Sequence, residues 1–216
     1  MDPEDRHTHA TMSVARIETL ADGVFAIAMT LLAFNLTVPV LRQDQTEADL
    51  PALMFALWPA FLVYAISFVV LGVYWVAHHA QFRVIDAADR PFLWINILFM
   101  MLIALVPFST SLLSRYPLAP IAAQIYGLVL ILIGGAFYLH WWYATTAHRL
   151  VPPSTTDDFI RAVQRRILIG PLVCTLAVFV AYVSTIGSIF LYAFLVPFYV
   201  VPGSIDRIVF RRRPPV

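Results

Sequence analysis

Residues 16–36 read R-I-E-T-L-A-D-G-V-F-A-I-A-M-T-L-L-A-F-N-L, and this stretch decides how the rest of the chain is interpreted. It is apolar and long enough to cross a bilayer, because about 20 helical residues span the hydrocarbon core. Its beginning nevertheless carries Arg16, Glu18 and Asp22. Ionisable groups at the edge of a membrane span are costly unless they face protein, water or ions. The segment is therefore predicted to do more than anchor the chain.

The middle of this segment has a stripe of apolar residues with a hydroxyl beside it. On an ideal helix, Ile27, Leu31 and Phe34 share one face at i, i+4 and i+7, and Thr30 lies next to them. Such a stripe is suited to a narrow pore, because hydrophobic constrictions gate by dewetting. It is equally suited to packing against neighbouring helices, where small and hydroxyl residues are common. The residues alone leave both interpretations open.

The composition identifies the class of protein. Hydrophobic residues make up 61% of the chain and charged residues 12%, whereas soluble domains have about 45–50% and about 25%. The chain is therefore predicted to be an integral membrane protein, with the lipid bilayer as its surroundings. A net charge of +1 is too small to indicate nucleic acid as a partner.

Apolar runs of bilayer length predict an all-α fold with six transmembrane helices in a single domain over residues 1–216. A polar N-terminal tail covers residues 1–13 and a basic C-terminal tail covers residues 204–216. We expect Pro59 to kink the second helix, since proline interrupts the helical hydrogen bonds. The predicted segments are approximately 14–38, 51–82, 91–113, 119–146, 160–186 and 188–201.

The distribution of arginine predicts the orientation. Alternate connections and the C-terminal tail are rich in arginine, and they share a side with Arg6 and Arg16. The opposite connections contain only Arg42 and Arg115. The positive-inside rule then places both termini in the cytoplasm. The arginine-rich side comprises Arg83, Arg90, Arg149, Arg161, Arg165, Arg166, Arg207 and Arg211 to Arg213.

Histidines suggest a rival class, a membrane redox or metal-binding protein that uses His78, His79 and His140. Adjacent residues on a helix point about 100° apart, so His78 and His79 are poorly placed to bind one ion. No cluster has zinc-site spacing, so we expect no metal and no cofactor. No nucleophile elbow, phosphate loop or pair of intramembrane carboxylates is present, so we expect no enzymatic activity.

Asp22 raises a second alternative, a proton-coupled transporter that uses this carboxylate and the histidines. Asp22 is predicted to bond a residue on another helix, because Arg16 lies nearer the opposite helical face. The candidate partners are His78, His79 and Asn96. A buried polar network that fixes the register of the helices is favoured over a role in chemistry, because half-satisfied networks are costly.

The motif R-x-x-x-L-A-D-G-V-F-A-I-A-M-T-L-L, from Arg16 to Leu32, resembles the signature of the transmembrane protein 175 family. Members of that family are endosomal and lysosomal potassium channels with bacterial homologues. Y-W-x-x-H-H, which covers residues 74–79, is similar too, as are Asn96 and the run P-F-S-T-S over residues 107–111. The resemblance covers the first half of the chain by motif and the second half by the number of segments.

The resemblance implies a homotetrameric cation channel that prefers potassium ions, with sodium ions or protons as alternatives. The first helix then lines a central pore, with its hydrophobic constriction at Ile27, Leu31 and Phe34 and its selectivity hydroxyl at Thr30. It also implies the inner membrane of a bacterial cell as the location. The network that supports the first helix is implied at Arg16, Asp22, His78, His79 and Asn96.

Two departures from the family pattern stand in the first helix. Leu20 and Ala21 replace a phenylalanine and a serine, which removes one hydroxyl from the supporting network. Phe34 replaces a smaller aliphatic residue, and a ring of such side chains would narrow the pore.

Overall fold

The computed structural model describes residues 14–201, and in that range every regular element is helical. Two single-turn 3₁₀ helices, Glu47–Asp49 and Thr146–His148, accompany the α-helices. The basic tail and the first 13 residues lie outside this range. The α-helices are α1 (Val14–Ala33), α2 (Leu50–Ala56), α3 (Trp58–Phe82), α4 (Arg90–Ile103), α5 (Val106–Arg115), α6 (Pro120–Thr145), α7 (Asp157–Val180) and α8 (Thr185–Val200).

The predicted all-helical membrane fold is confirmed. Four segments are long and apolar enough to cross a bilayer, namely α3, α4 with α5, α6 and α7, and α8 is a shorter apolar helix. The first predicted segment is α1, which also carries three charged side chains. The third segment is broken at Ala104 and Leu105, so that two helices share one span. The fifth was predicted to end at Ile186, but α7 ends at Val180.

Proline determines where many of these helices begin. A proline lies in the first turn of α2, α3, α4, α5 and α6. Proline suits this position because its missing N–H would be unpaired there in any case. The predicted second segment is interrupted next to Pro59, as a break and not as a kink: Leu57 separates α2 from α3, and Pro59 lies in the first turn of α3.

The packing places α6 at the centre and α1 at the edge of the bundle. α6 packs against α4, α5, α7 and α8, and more than half of its residues are buried, although one stripe that includes Leu128, Leu132 and Leu139 is exposed. α1 instead packs against α3, α4 and α5. One face of α1 is consequently buried in the chain and the opposite face is exposed.

Candidate pore-lining helix and its polar network

The two faces of α1 differ in character. Its buried face is a ladder with spacings of three and four residues, Ile17, Ala21, Phe25, Ala28 and Leu32. Its exposed face includes Gly23, Ala26, Ile27, Thr30 and Leu31. Ile27 is 61% exposed, although α1 packs on three other helices of the chain. The predicted stripe thus faces away from the rest of its own chain.

Phe34 lies in a turn just beyond the end of α1. Its own backbone N–H donates to the carbonyl of Leu31 at 3.2 Å. Its side chain is 80% exposed. The amide of Asn35 donates to the carbonyl of Pro107 at 3.2 Å, which ties this turn to the first turn of α5. Phe34 therefore extends the exposed stripe from a turn and not from a helical position.

Thr30 has its hydroxyl hydrogen engaged within α1. Its Oγ1 lies 3.0 Å from the carbonyl oxygen of Ala26 and 2.8 Å from that of Ile27, and it donates to them. The lone pairs of the hydroxyl oxygen remain available on the exposed face. An oxygen presented in this way is a ligand for a hard cation such as potassium.

The buried face of α1 is anchored by an aromatic ring. Phe25 packs against the rings of His78 and Phe99, at centroid distances of 6.2 and 6.1 Å. His78 is itself stacked on Phe99, with ring planes only 3° apart. Its Nε2 lies 3.0 Å from Oδ1 of Asn96, and because the amide oxygen accepts, Nε2–H of His78 donates. These contacts join α1, α3 and α4.

The acidic residues of α1 bond different groups. The indole N–H of Trp75 donates to Oδ1 of Asp22 at 2.8 Å. Glu18 lies 3.6 Å from Nδ1 of His79, and the ring of His79 is stacked beside Trp75. The prediction that Asp22 bonds a residue on another helix is therefore confirmed. The prediction that this residue is His78, His79 or Asn96 is wrong. The indole of Trp75 takes that place.

The structure thus divides the predicted network. It brings His78 and Asn96 together in the interior, and it places Asp22 and His79 in two more exposed pairs. Arg16 is exposed and makes no ion pair within residues 14–201. Ala21, where the family has serine, is fully buried, so an apolar contact replaces the missing hydroxyl.

The sequence analysis missed a second buried pair. Nδ1 of His140 lies 2.7 Å from Oε1 of Gln81, and the amide oxygen accepts its proton. The ring of His140 is 5.7 Å from that of His78 and 4.2 Å from that of Phe92. Gln81 follows His78 by three residues, which places both polar side chains on one side of an apolar helix, but no pattern in the sequence indicates His140 as its partner.

The three histidines that the sequence offered as candidate metal ligands bond different groups. His78 and His140 each hydrogen-bond an amide, while His79 lies with Glu18. In the described part of the chain no three His, Cys, Asp or Glu residues are grouped to hold a metal ion. Cys174 is a free, buried thiol.

Comparisons with known proteins agree on one family. A family model described as endosomal/lysosomal potassium channel TMEM175 matches residues 16–107. A potassium channel of Streptomyces collinus is 36% identical over 177 residues, which cover 78% of this chain and 82% of that protein. A potassium channel of Chamaesiphon minutus is 35% identical over 172 residues, which cover 78% of this chain and 84% of that protein.

A solved structure gives the same result. The crystal structure of a lysosomal potassium-selective channel TMEM175 homolog from Chamaesiphon minutus superposes with a TM-score of 0.76 at 30% identity. The match covers 87% of this chain and 96% of that one. The likeness therefore extends over the second half of the chain, where the sequence motifs gave no signal.

Proposed function

The chain belongs to the TMEM175 family, and from this we propose that it is a potassium channel whose pore is lined by α1. Its close relatives are potassium channels and not enzymes. The apolar helices make it an integral, multi-pass membrane protein. Potassium ions are accordingly its permeant partner.

The exposed face of α1 is the observation that carries the proposal. One helix cannot enclose a pore, so copies of the chain must bring their α1 helices together. Four copies, a homotetramer, would place four Thr30 hydroxyls and four Ile27 side chains around one axis. The small residues Gly23 and Ala26 on the same face would let these helices approach closely.

In this arrangement Ile27 forms the narrowest ring, and Leu31 and Phe34 extend an apolar barrier along the pore. Such a barrier excludes water and therefore ions until it widens. Thr30, between Ile27 and Leu31, offers its hydroxyl oxygen to an ion that has lost part of its hydration shell. Gate and selectivity site would then occupy adjacent turns of α1.

The polar network keeps α1 in register. Phe25 holds the helix against His78, and the pair of His78 and Asn96 fixes that ring between α3 and α4. Asp22 and Glu18 bond α3 at the predicted cytoplasmic end. We further propose that both termini are cytoplasmic, in a bacterial inner membrane, because the arginine-rich connections share that side.

The test is ion flux in proteoliposomes that contain the wild type or the Ile27→Asn variant. Asparagine hydrates the constriction, so potassium flux should rise about tenfold if the barrier falls by about 1.4 kcal/mol. Leu172→Asn is the matched control, because Leu172 is 67% exposed but lies on α7. It should leave flux per folded channel unchanged.

Three outcomes would count against the proposal. Equal flux through the wild type and Ile27→Asn would mean that Ile27 of α1 does not form the constriction. An equal rise in potassium flux through Leu172→Asn would indicate a leak that does not depend on α1. Saturable, pH-driven flux would favour the proton-coupled transporter, and bound metal in the purified protein would favour the redox alternative.

A further inference from the structure

An apolar cavity lies outside the candidate pore and its network. Its volume is about 60 Å³, and α3, α6, α7 and α8 surround it. Leu130 and Phe137 of α6, Cys174 of α7, and Leu195 and Val196 of α8 line it. Apolar side chains form nearly all of its wall.

The polar groups at the edge of the cavity are already bonded to the protein. The hydroxyl of Tyr74 donates to the carbonyl of Leu130 at 3.4 Å. The hydroxyl of Tyr199 accepts from N–H of Gly170 and donates to the carbonyl of Arg166, both at 2.9 Å. Both hydroxyl hydrogens are thus engaged. A buried water needs two to four polar partners, so this cavity is poorly suited to hold one.

The size of the cavity sets the size of its occupant. It is less than half of the roughly 150 Å³ of an engineered apolar cavity that binds benzene. A ring is therefore too large, whereas the end of a hydrocarbon chain or a xenon atom fits. Wall atoms that face a void lack dispersion contacts on that side, which an apolar occupant restores.

We propose that the cavity among α3, α6, α7 and α8 is a binding site for a short hydrocarbon group. The group is supplied either by the terminal carbons of a lipid acyl chain or by a small dissolved apolar molecule. The outer face of α7 beside it is apolar, with Leu168 and Leu172 exposed, and α7 is long and apolar enough to cross a bilayer. Hydrocarbon is thus the most abundant ligand at this depth of the membrane.

The site adjoins the helix that holds α1. Val73, Tyr74 and Ala77 of α3 line the cavity. Trp75, between them in sequence, bonds Asp22 of α1. An occupant therefore contacts the same two turns of α3 that hold α1 in place.

The first test is crystallography of the full-length protein under xenon pressure, and separately with lipid brominated at the end of its acyl chains. A xenon peak should appear in the cavity. Val196→Phe fills the cavity and should abolish the peak, while Leu172→Phe, on the outer face of α7, should keep it. Ala77→Leu fills the cavity from α3 and replaces Val196→Phe if that variant does not fold.

The second test uses Cys174, the only cysteine in the sequence. Methyl methanethiosulfonate reacts with its thiolate to form a methyl disulfide and release methanesulfinate. Xenon should slow this labelling about twofold when half of the cavities are occupied. Mass spectrometry measures the rate.

The outcomes separate the sources of the ligand. A bromine peak in the cavity identifies acyl chains, and a xenon peak without bromine identifies small dissolved molecules; both support the site. Ordered water in the cavity, absence of both peaks in the wild type, or a xenon peak that persists in both filled variants would overturn it. Neither binding test depends on ion flux, so failure of the site and failure of the channel proposal remain distinguishable.

Discussion

The exposed faces of α1 and α7 are both apolar, but they are built from different residues. α7 presents large side chains at Leu168, Leu172, Leu176 and Phe179, with the hydroxyl of Thr175 among them. α1 presents Gly23, Ala26 and Thr30 between its larger residues. Bulky apolar side chains are suited to lipid, whereas small and hydroxyl residues are suited to close helix packing and ion contact. We infer that α7 faces the bilayer and that α1 faces other copies of the chain.

The inner face of α1 provides the largest expected contrast with α7. Phe25 is 1% exposed and packs against His78 and Phe99, whereas Phe179 is 65% exposed. Phe25→Ala should lower the free energy of unfolding by about 3–5 kcal/mol, as for other buried aromatic truncations. Phe179→Ala should change it by less than about 0.5 kcal/mol. Thermal unfolding in detergent measures both, and similar losses would contradict the assignment of faces.

The buried hydrogen bond behind α1 should show the next largest effect. Asn96→Ala leaves Nε2–H of His78 unpaired in the interior, at a cost of about 1–3 kcal/mol. Asn35→Ala removes a half-buried bond to Pro107 and should cost only about 0.5–1.5 kcal/mol. The same unfolding measurement compares them. A larger loss from Asn35→Ala would mean that the turn after α1, and not the interior pair, holds the helix.

Two threonines test the exposed faces directly. Thr30 of α1 and Thr175 of α7 are both exposed, and each donates to a carbonyl of its own helix. Thr30→Ala should reduce the preference for potassium over sodium about fivefold, which corresponds to about 1 kcal/mol. Thr175→Ala should leave the preference unchanged. Reversal potentials in mixtures of potassium and sodium ions measure this preference. Equal changes in the two variants would mean that Thr30 does not set the selectivity.

The exposed ion pair of α1 should show the smallest effect. Glu18 and His79 are 3.6 Å apart and partly exposed to solvent. Such pairs contribute at most about 1 kcal/mol, so Glu18→Gln should cost less than that. Asp158→Asn on α7 removes a more exposed pair with Arg161 and is the control. A cost from Glu18→Gln that clearly exceeds the control would indicate that solvent does not reach this end of α1.

Periodicity correctly predicted features that belong to single helices. The placement of Ile27, Thr30 and Leu31 on one side of α1 follows from 3.6 residues per turn. Apolar length located the six membrane segments, because the bilayer sets that length for any helix that crosses it. Prolines marked many of the starts, although Pro59 was interpreted as a kink.

Features that depend on two helices were harder to predict. The bond from Trp75 to Asp22 requires the rotation of α3 relative to α1, which no pattern within either helix contains. The two residues of the pair of Gln81 and His140 are separated by 59 positions in the sequence. The break at Ala104 and Leu105 precedes Pro107 by only a few residues, but an apolar run shows no boundary there.

The amino-acid sequence by itself determined the membrane class, the six apolar segments, the family motif from Arg16 to Leu32 and the residue content of each face of α1. The tertiary structure alone decided which face of α1 is exposed and which group donates a hydrogen bond to Asp22. It also decided that a cavity remains among α3, α6, α7 and α8. The reason is that hydrophobic length and helical period act along one chain segment. The rotation, offset and closeness of neighbouring helices come from the packing of side chains that are distant in sequence.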